Sequence, residues 1–234
     1  MKVFAILPAA GLGTRMGSVA HANAPKQFLT LGGLPVLVHS LKAFAAVPRV
    51  AQIVVAVRPN EMERTNAQIA EFGLTGRVRV VEGGDNRQQS VVNALAALSA
   101  AEDDIVLVHD AVRPLIEPAI IEHTIDAVEK HGAAIVGLPA IDTIKQVERT
   151  ADGAIITSTV PRERIVQAQT PQGFRYGLLK RAFAEAESDG FVGTDEASVL
   201  ERAGVEVAVV MGSPRNLKIT QPGDLALAEF YLKS

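Results

Sequence analysis

Residues able to do chemistry cluster first near the amino end. There an apolar run gives way to Pro8-Ala9-Ala10-Gly11-Leu12-Gly13-Thr14-Arg15-Met16-Gly17, and a polar stretch then leads to Pro25-Lys26-Gln27. Small residues and glycines let backbone N–H groups approach phosphate oxygens, and Arg15 and Lys26 can bring positive charge to the same oxygens. The composition is that of a phosphate cradle. It is not a Walker A loop, because Gly-Lys-Ser/Thr is missing, nor the dinucleotide fingerprint, because no Gly-x-Gly-x-x-Gly opens a helix. A glycine-rich turn with solvated cations would explain the glycines alone, but it leaves Arg15 and Pro25-Lys26-Gln27 without a reason.

A second candidate is Val108-His109-Asp110, which puts a carboxylate just past a buried strand, where open α/β sheets place ligand chemistry. Asp110 could cap a turn, or it could hold Mg²⁺, which accepts oxygen ligands and keeps several waters while bridging phosphates. Arg113-Pro114 beside it and the cradle elsewhere favour the metal. Gly83-Gly84-Asp85, followed by Arg87 and Ser90, reads on its own as a glycine turn with a polar helix start. Of the five histidines, His21, His39, His109, His123 and His131, none forms a zinc-binding pattern, and His109 alone falls inside a motif. We expect it to orient the neighbouring loop rather than act as a base.

The whole-chain composition narrows the chemistry further. With no cysteine among 234 residues, a disulfide scaffold, a thiolate zinc site and a cysteine nucleophile are all excluded. A formal charge of −3 argues against coating nucleic acid by charge, though not against a small anionic ligand. No apolar run approaches the roughly 18 residues that span a bilayer, and the start has neither signal-peptide nor transit-peptide character. These features read as a soluble, cytoplasmic protein without nucleic-acid or membrane partners.

The elements that must position these residues are legible as an alternation. Apolar β-branched runs at 3–7, 53–57, 78–81, 105–108, 133–138 and 205–210 predict strands, and 36–46, 88–100, 119–130 and 222–232 predict helices. This is an α/β, Rossmann-like pattern with a mostly parallel sheet, since runs such as Ile105-Val106-Leu107-Val108 suit strands buried on both faces. Between 139 and 166 two polar strand-like pieces, 141–147 and 154–159, flank the turn signal Asp152-Gly153 and predict a protruding β-arm. The arm is too poor in apolar residues to fold on a core of its own, so it must lean on this subunit or another. The chain reads as a single domain over 1–234.

The motifs also resemble a known family. Gly83 to Ser90, Val108 to Pro114, Asp142-Thr143-Ile144-Lys145, Thr170-Pro171-Gln172, Thr194-Asp195-Glu196-Ala197, Asn216 to Thr220 and Pro222-Gly223-Asp224-Leu225 stand in the order found in nucleotide-diphospho-sugar-transferase-like enzymes. Within these they resemble the 2-C-methyl-D-erythritol 4-phosphate cytidylyltransferases. The resemblance implies a nucleotide site at Pro8, Ala9, Ala10, Gly11, Gly13, Gly83, Gly84, Asp85, Ser90, Asp110 and Ala111, with Ser90 near a cytosine edge and Asp110 on Mg²⁺ or another divalent ion. It implies catalytic cations at Arg15, Lys26 and Lys218, although Lys218 alone would pass for an ordinary surface lysine. On the acceptor side it implies Arg113, Thr143, Arg162, Thr170 and Thr194, with Thr143 and Arg162 reaching across a homodimer from the arm. Thr194 is equally a good helix cap.

The implied reaction joins CTP to a polyol phosphate and releases pyrophosphate. Its nucleophile is a phosphate monoester whose second pKa is about 6, so no general base is needed. Two alternatives share the fold: a ribitol-5-phosphate cytidylyltransferase and a non-catalytic nucleotide sensor. The stretch 17–24 is longer than the family spacing leads one to expect, and no room follows Ser234 for the cyclodiphosphate synthase domain fused in some relatives.

Overall fold

The computed structural model describes residues 1–11 and 25–233. After β1 (Val3–Pro8) come a small hairpin, β2 (Thr30–Leu31) and β3 (Leu34–Pro35), and then α1 (Val36–Ala45). Alternation follows through β4 (Val50–Val57), α2 (Met62–Glu71), β5 (Val78–Glu82), α3 (Arg87–Ala96), β6 (Ile105–Val108), α4 (Pro118–His131) and β7 (Ala133–Pro139). The arm is β8 (Ile144–Thr150) with β9 (Gly153–Val160). The chain closes with β10 (Val166–Arg175), α5 (Tyr176–Ser188), α6 (Glu196–Arg202), β11 (Ala208–Met211) and α7 (Pro222–Lys233).

Seven strands form one sheet in the order β11-β7-β10-β6-β1-β4-β5. All its pairings are parallel except those of β10, which runs antiparallel to both β6 and β7. The mostly parallel α/β sheet is therefore as expected, with one strand reversed near its middle. Helices cover both faces, and the period of two along β1 shows why: Ala5 and Leu7 join a core with Phe44 of α1 and Ile121 of α4, while Phe4 and Ile6 join one with Val91 of α3 and Leu179 of α5. Both faces being dry, these strands read as continuous apolar runs.

Several sequence expectations need correction, among them the arm's first strand, which spans Ile144–Thr150 rather than 141–147. The last strand spans Ala208–Met211 rather than 205–210, and the helix expected over 88–100 ends at Ala96. The arm's turn falls one residue early, with Thr150 paired to Gly153, so Ala151 and Asp152 form its tip. The arm is a separate two-stranded sheet, and Ile155 and Ile156 lie 63% and 59% exposed on it.

Helix α4 starts on Pro118 and ends on Gly132, which adopts φ 84° and caps the last turn. Any residue with a Cβ is strained there. We expect Gly132→Ala to lower unfolding free energy by about 1 kcal/mol, read as a lower urea midpoint with unchanged activity, since this turn lies at the opposite end of β7 from the arm.

Candidate active site

The carboxyl ends of β1, β5 and β6 open onto a cleft lined by Pro8, Ala9, Ala10, Gly11, Lys26, Gln27, Gly84, Asp85, Asn86, Arg87, Ser90, Asp110, Val112 and Lys218. Its floor is tied down by backbone bonds: the Ala9 amide donates to the Ala56 carbonyl at 2.7 Å, and Gln27 Nε2 donates to the Ala9 carbonyl at 2.6 Å. The glycine loop closes against it for steric reasons. A Cβ on Gly83 would stand 2.7 Å from that of Ala10, and one on Gly84 would stand 2.1 Å from the Gln89 side chain. Asn86 then caps α3 by accepting from the Gln89 amide at 2.8 Å.

Ser90 shapes this loop from within. Its hydroxyl donates to the Asn86 carbonyl at 2.9 Å and accepts from the Gly84 amide at 3.1 Å, which leaves one lone pair for a ligand. Gly83 stands behind the cleft, and Ala111 lies in the core while Val112 lines the wall. Gly13 and Arg15 lie outside the described residues.

A second cleft adjoins the first. It is lined by Arg87, Asp110, Arg113, Ala168, Gln169, Thr170, Gln172, Thr194, Asp195 and Lys218. Arg113, Thr170 and Thr194 are therefore together, as expected, whereas Thr143 and Arg162 sit exposed on and beside the arm. The Arg162 guanidinium there donates to the Ile141 carbonyl at 2.5 Å. Thr194 is not a helix cap. Asp195 caps α6, accepting from the Ser198 amide at 3.0 Å in a reciprocal capping box.

Arg87, Asp110 and Lys218 line both clefts and form the seam between them. Lys218 Nζ lies 3.0 Å from Asp110 Oδ2, Arg113 Nε lies 3.3 Å from the same oxygen, and Arg87 Nε lies 3.3 Å from Oδ1. Burial alone would raise the Asp110 pKa, but the pull of Arg87, Lys218 and Arg113 overrides it and holds the carboxyl well below the usual range. Lys26 reaches the same neighbourhood through a 3.0 Å bond from Nζ to the Ile219 carbonyl, beside Lys218.

Behind the seam lies a closed ring of hydrogen bonds. The Asp110 amide donates to Thr170 Oγ1 at 3.0 Å, and Thr170 Oγ1 lies 3.0 Å from His109 Nδ1. His109 Nε2 meets the Arg113 carbonyl at 3.2 Å, and Arg113 returns to the Asp110 carboxylate. Asn216 braces the ring, donating to the Thr170 carbonyl at 2.8 Å and accepting from Arg113 through its own carbonyl at 2.8 Å. His109 is fully buried against Phe44, with ring centroids 5.0 Å apart. It orients the loop, as its motif suggested.

Burial, aided by the Arg113 guanidinium, pulls the His109 pKa down to about 4 against the opposing bond to the Arg113 carbonyl. The unfolded chain therefore takes up a proton near pH 6.5 that the folded chain refuses, and stability falls as pH drops from there towards 4. The fall amounts to about 2 kcal/mol between pH 7 and 5. Urea midpoints at the two pH values should converge in His109→Asn. An unchanged gap would disprove this role.

The clefts also hold residues to which the sequence alone assigned no site role: Arg87, Gln169, Gln172 and, just behind them, Glu196. Glu196 begins a helix, where an acid needs no further explanation, so its partner 109 positions away left no local signal.

Comparison with known proteins shows the family. A family model described as 2-C-methyl-D-erythritol 4-phosphate cytidylyltransferase matches residues 3–234. A protein of that name from Acidobacterium capsulatum is 71% identical over all of this chain and 98% of its own length. This chain belongs to that family. Another cytidylyltransferase so named, from Solibacter usitatus, is 52% identical over the whole chain and 96% of its own length. Among solved structures, a 4-diphosphocytidyl-2C-methyl-D-erythritol synthase from Anaerococcus prevotii superposes with a TM-score of 0.84 at 28% identity, covering 100% and 99% of the two chains. The cytidylyltransferase from Thermus thermophilus does so with 0.78 at 32% identity over the full length of both.

Proposed function

We propose that the two clefts are the nucleotide and acceptor halves of one cytidylyltransferase site, with the Arg87-Asp110-Lys218 seam as the place where they react. The reaction of the family is transfer of a cytidylyl group from CTP to 2-C-methyl-D-erythritol 4-phosphate, with release of pyrophosphate. The observation that carries the assignment of the halves is that three charged residues line both clefts at once. A phosphate standing in one cleft and a triphosphate in the other would meet there.

The acceptor's phosphate is largely dianionic near neutral pH and attacks without a base. What the protein must do is overcome the repulsion between two anions and stabilise charge on the departing pyrophosphate. Lys218 and Lys26 are placed for this, with Arg15 assigned to the same task from its motif. The glycine loop and Ser90 hold the base, and Arg113, Thr170 and Thr194 hold the acceptor.

Magnesium fits as a phosphate-bridging ion rather than a caged one. Among the described residues no group of three His, Cys, Asp or Glu could enclose a metal, but Mg²⁺ bound to substrate phosphates takes only one or two carboxylates. Three of the roughly four lone-pair sites of Asp110 face cations, which leaves one for such an ion. When bound, it would neutralise charge on the triphosphate.

The arm supports the further reading of a homodimer. A two-stranded sheet with exposed isoleucines is not stable alone in water, and a second copy would cover it while bringing Thr143 and Arg162 to the partner's acceptor cleft. No helix among the described residues is long and apolar enough to cross a membrane. The decisive experiment measures pyrophosphate release with CTP, Mg²⁺ and either methylerythritol 4-phosphate or ribitol 5-phosphate. Turnover with the first acceptor is expected, and turnover with ribitol 5-phosphate alone would overturn the acceptor assignment. A fully active monomer in sedimentation would remove the shared site.

A further inference from the structure

Glu196 poses a problem that the reaction does not answer. It is only 1% exposed, although an acid in the first turn of a helix can complement the dipole from the surface. Burying a carboxylate costs several kcal/mol unless its pairing is very good, and an apolar side chain would often be at least as stable there. The pairing here is very good: Arg87 Nη1 lies 2.7 Å from Oε1 and Nη2 lies 2.9 Å from Oε2, so both terminal nitrogens of the fork meet both oxygens.

The fork leaves the Arg87 Nε hydrogen free of Glu196, and this is the donor that meets Asp110 Oδ1. With its plane fixed at two points, the guanidinium has little freedom to turn, and its contact holds one oxygen of Asp110. The other oxygen then faces Lys218. Glu196 is itself anchored. Gln172 of β10 donates to the Asp195 carboxylate at 2.8 Å and accepts from the Ala197 amide at 3.0 Å, clamping the start of α6 beside Thr170.

We propose that Glu196 is a positioning residue for the transfer: it locks Arg87 so that the guanidinium holds Asp110, and with it Lys218, at the seam between the two clefts. This rests on the reading of the seam as the reacting centre. Charge alone does not explain the arrangement. Arg87, Arg113 and Lys218 face Asp110 and Glu196, and without Glu196 the seam would carry more positive charge and attract phosphates more strongly. The lock instead exchanges some of that attraction for geometry, and a displacement of about 1 Å at a reacting centre can lower the rate by about a hundredfold.

The test is steady-state pyrophosphate release by Glu196→Gln, Arg87→Lys and the double variant, alongside the wild type. Glu196→Gln is expected to lower kcat by about thirty- to a hundredfold, with KM for CTP unchanged or lower. Arg87→Lys keeps the charge but loses the fork, and should match it. The double variant should lose little more than either single, because both remove the same lock. Losses that multiply in the double variant, or a folded Glu196→Gln with near-normal kcat, would overturn the proposal. Should Glu196→Gln fail to fold, Glu196→Asp keeps the charge but is too short to meet both nitrogens, and normal kcat in that variant would overturn it equally. An inactive wild type sinks both this proposal and the functional reading, whereas an active wild type with an indifferent Glu196 sinks this one alone.

Discussion

Lys218→Ala is expected to lower the turnover number by about a hundred- to a thousandfold, the range seen when one preorganised group facing transition-state charge is removed, while KM for CTP moves far less. The asymmetry follows from position. Lys218 stands at the seam of the two clefts, 3.0 Å from Asp110 Oδ2, with its side chain about one third exposed. On the proposed reading, an ammonium there would meet the phosphate charge that develops as the bond to the leaving group breaks, whereas the nucleotide would keep its contacts to the glycine loop and the cradle. Folding is expected to survive, since Asp110 keeps Arg87 and Arg113 as partners. Pyrophosphate release under saturating substrates measures the effect. Near-normal turnover would take Lys218 out of the mechanism.

Asp110→Ala should damage stability as well as activity. Removing the carboxylate leaves Arg87, Arg113 and Lys218 gathered around an empty place, and Arg113 has only 11% of its side chain exposed to water. Breaking a buried pair by deleting one partner costs about 3–5 kcal/mol, a large share of the stability of an ordinary domain. Arg87 retains Glu196, so the loss falls mainly on Arg113 and on the hydrogen-bond ring that begins at the Asp110 amide. Urea unfolding at pH 7 gives the number, and a change below 1 kcal/mol would contradict the description of this cluster. Because the folded-state pKa of Asp110 is depressed, the wild-type contribution is complete above the ordinary carboxylate range and disappears as pH falls below about 4. The difference between wild type and variant should shrink in the same window.

Much of the fold was legible because its parallel strands are dry on both faces, and 53–57 and 105–108 stand out as apolar runs for that reason. Strand β10 was not. Its sequence, Val166-Gln167-Ala168-Gln169-Thr170-Pro171-Gln172-Gly173-Phe174-Arg175, contains both a proline and a glycine and lacks the apolar run that marks the other strands. The register explains how it pairs on both sides nonetheless. It slips between Ala168 and Gln172, so Pro171 falls in an irregularity where no ladder bond is required of it. The same irregularity carries Thr170 to His109 and Asp110, so the feature that hid the strand also builds the wall of the second cleft.

The site divides in a similar way. Lys26 and Asp110 stood in motifs with a chemical meaning of their own, and Lys218 was visible only through the family resemblance. The Arg87–Glu196 lock was invisible, because a pairing across 109 positions is made by topology and leaves no trace in local spacing.

The hydrogen bond from the Ala140 amide to the Ile165 carbonyl, 3.1 Å long, closes the base of the arm where β7 leaves the sheet and β10 returns. Residues 141–164 are thus an excursion with adjoining ends, and the cores on the two faces of the sheet draw on none of them. A change confined to this segment would remove no residue from either core. If the arm pairs copies as proposed, that pairing and the proposed nucleotide half of the site lie on different stretches of chain and could diverge at different rates.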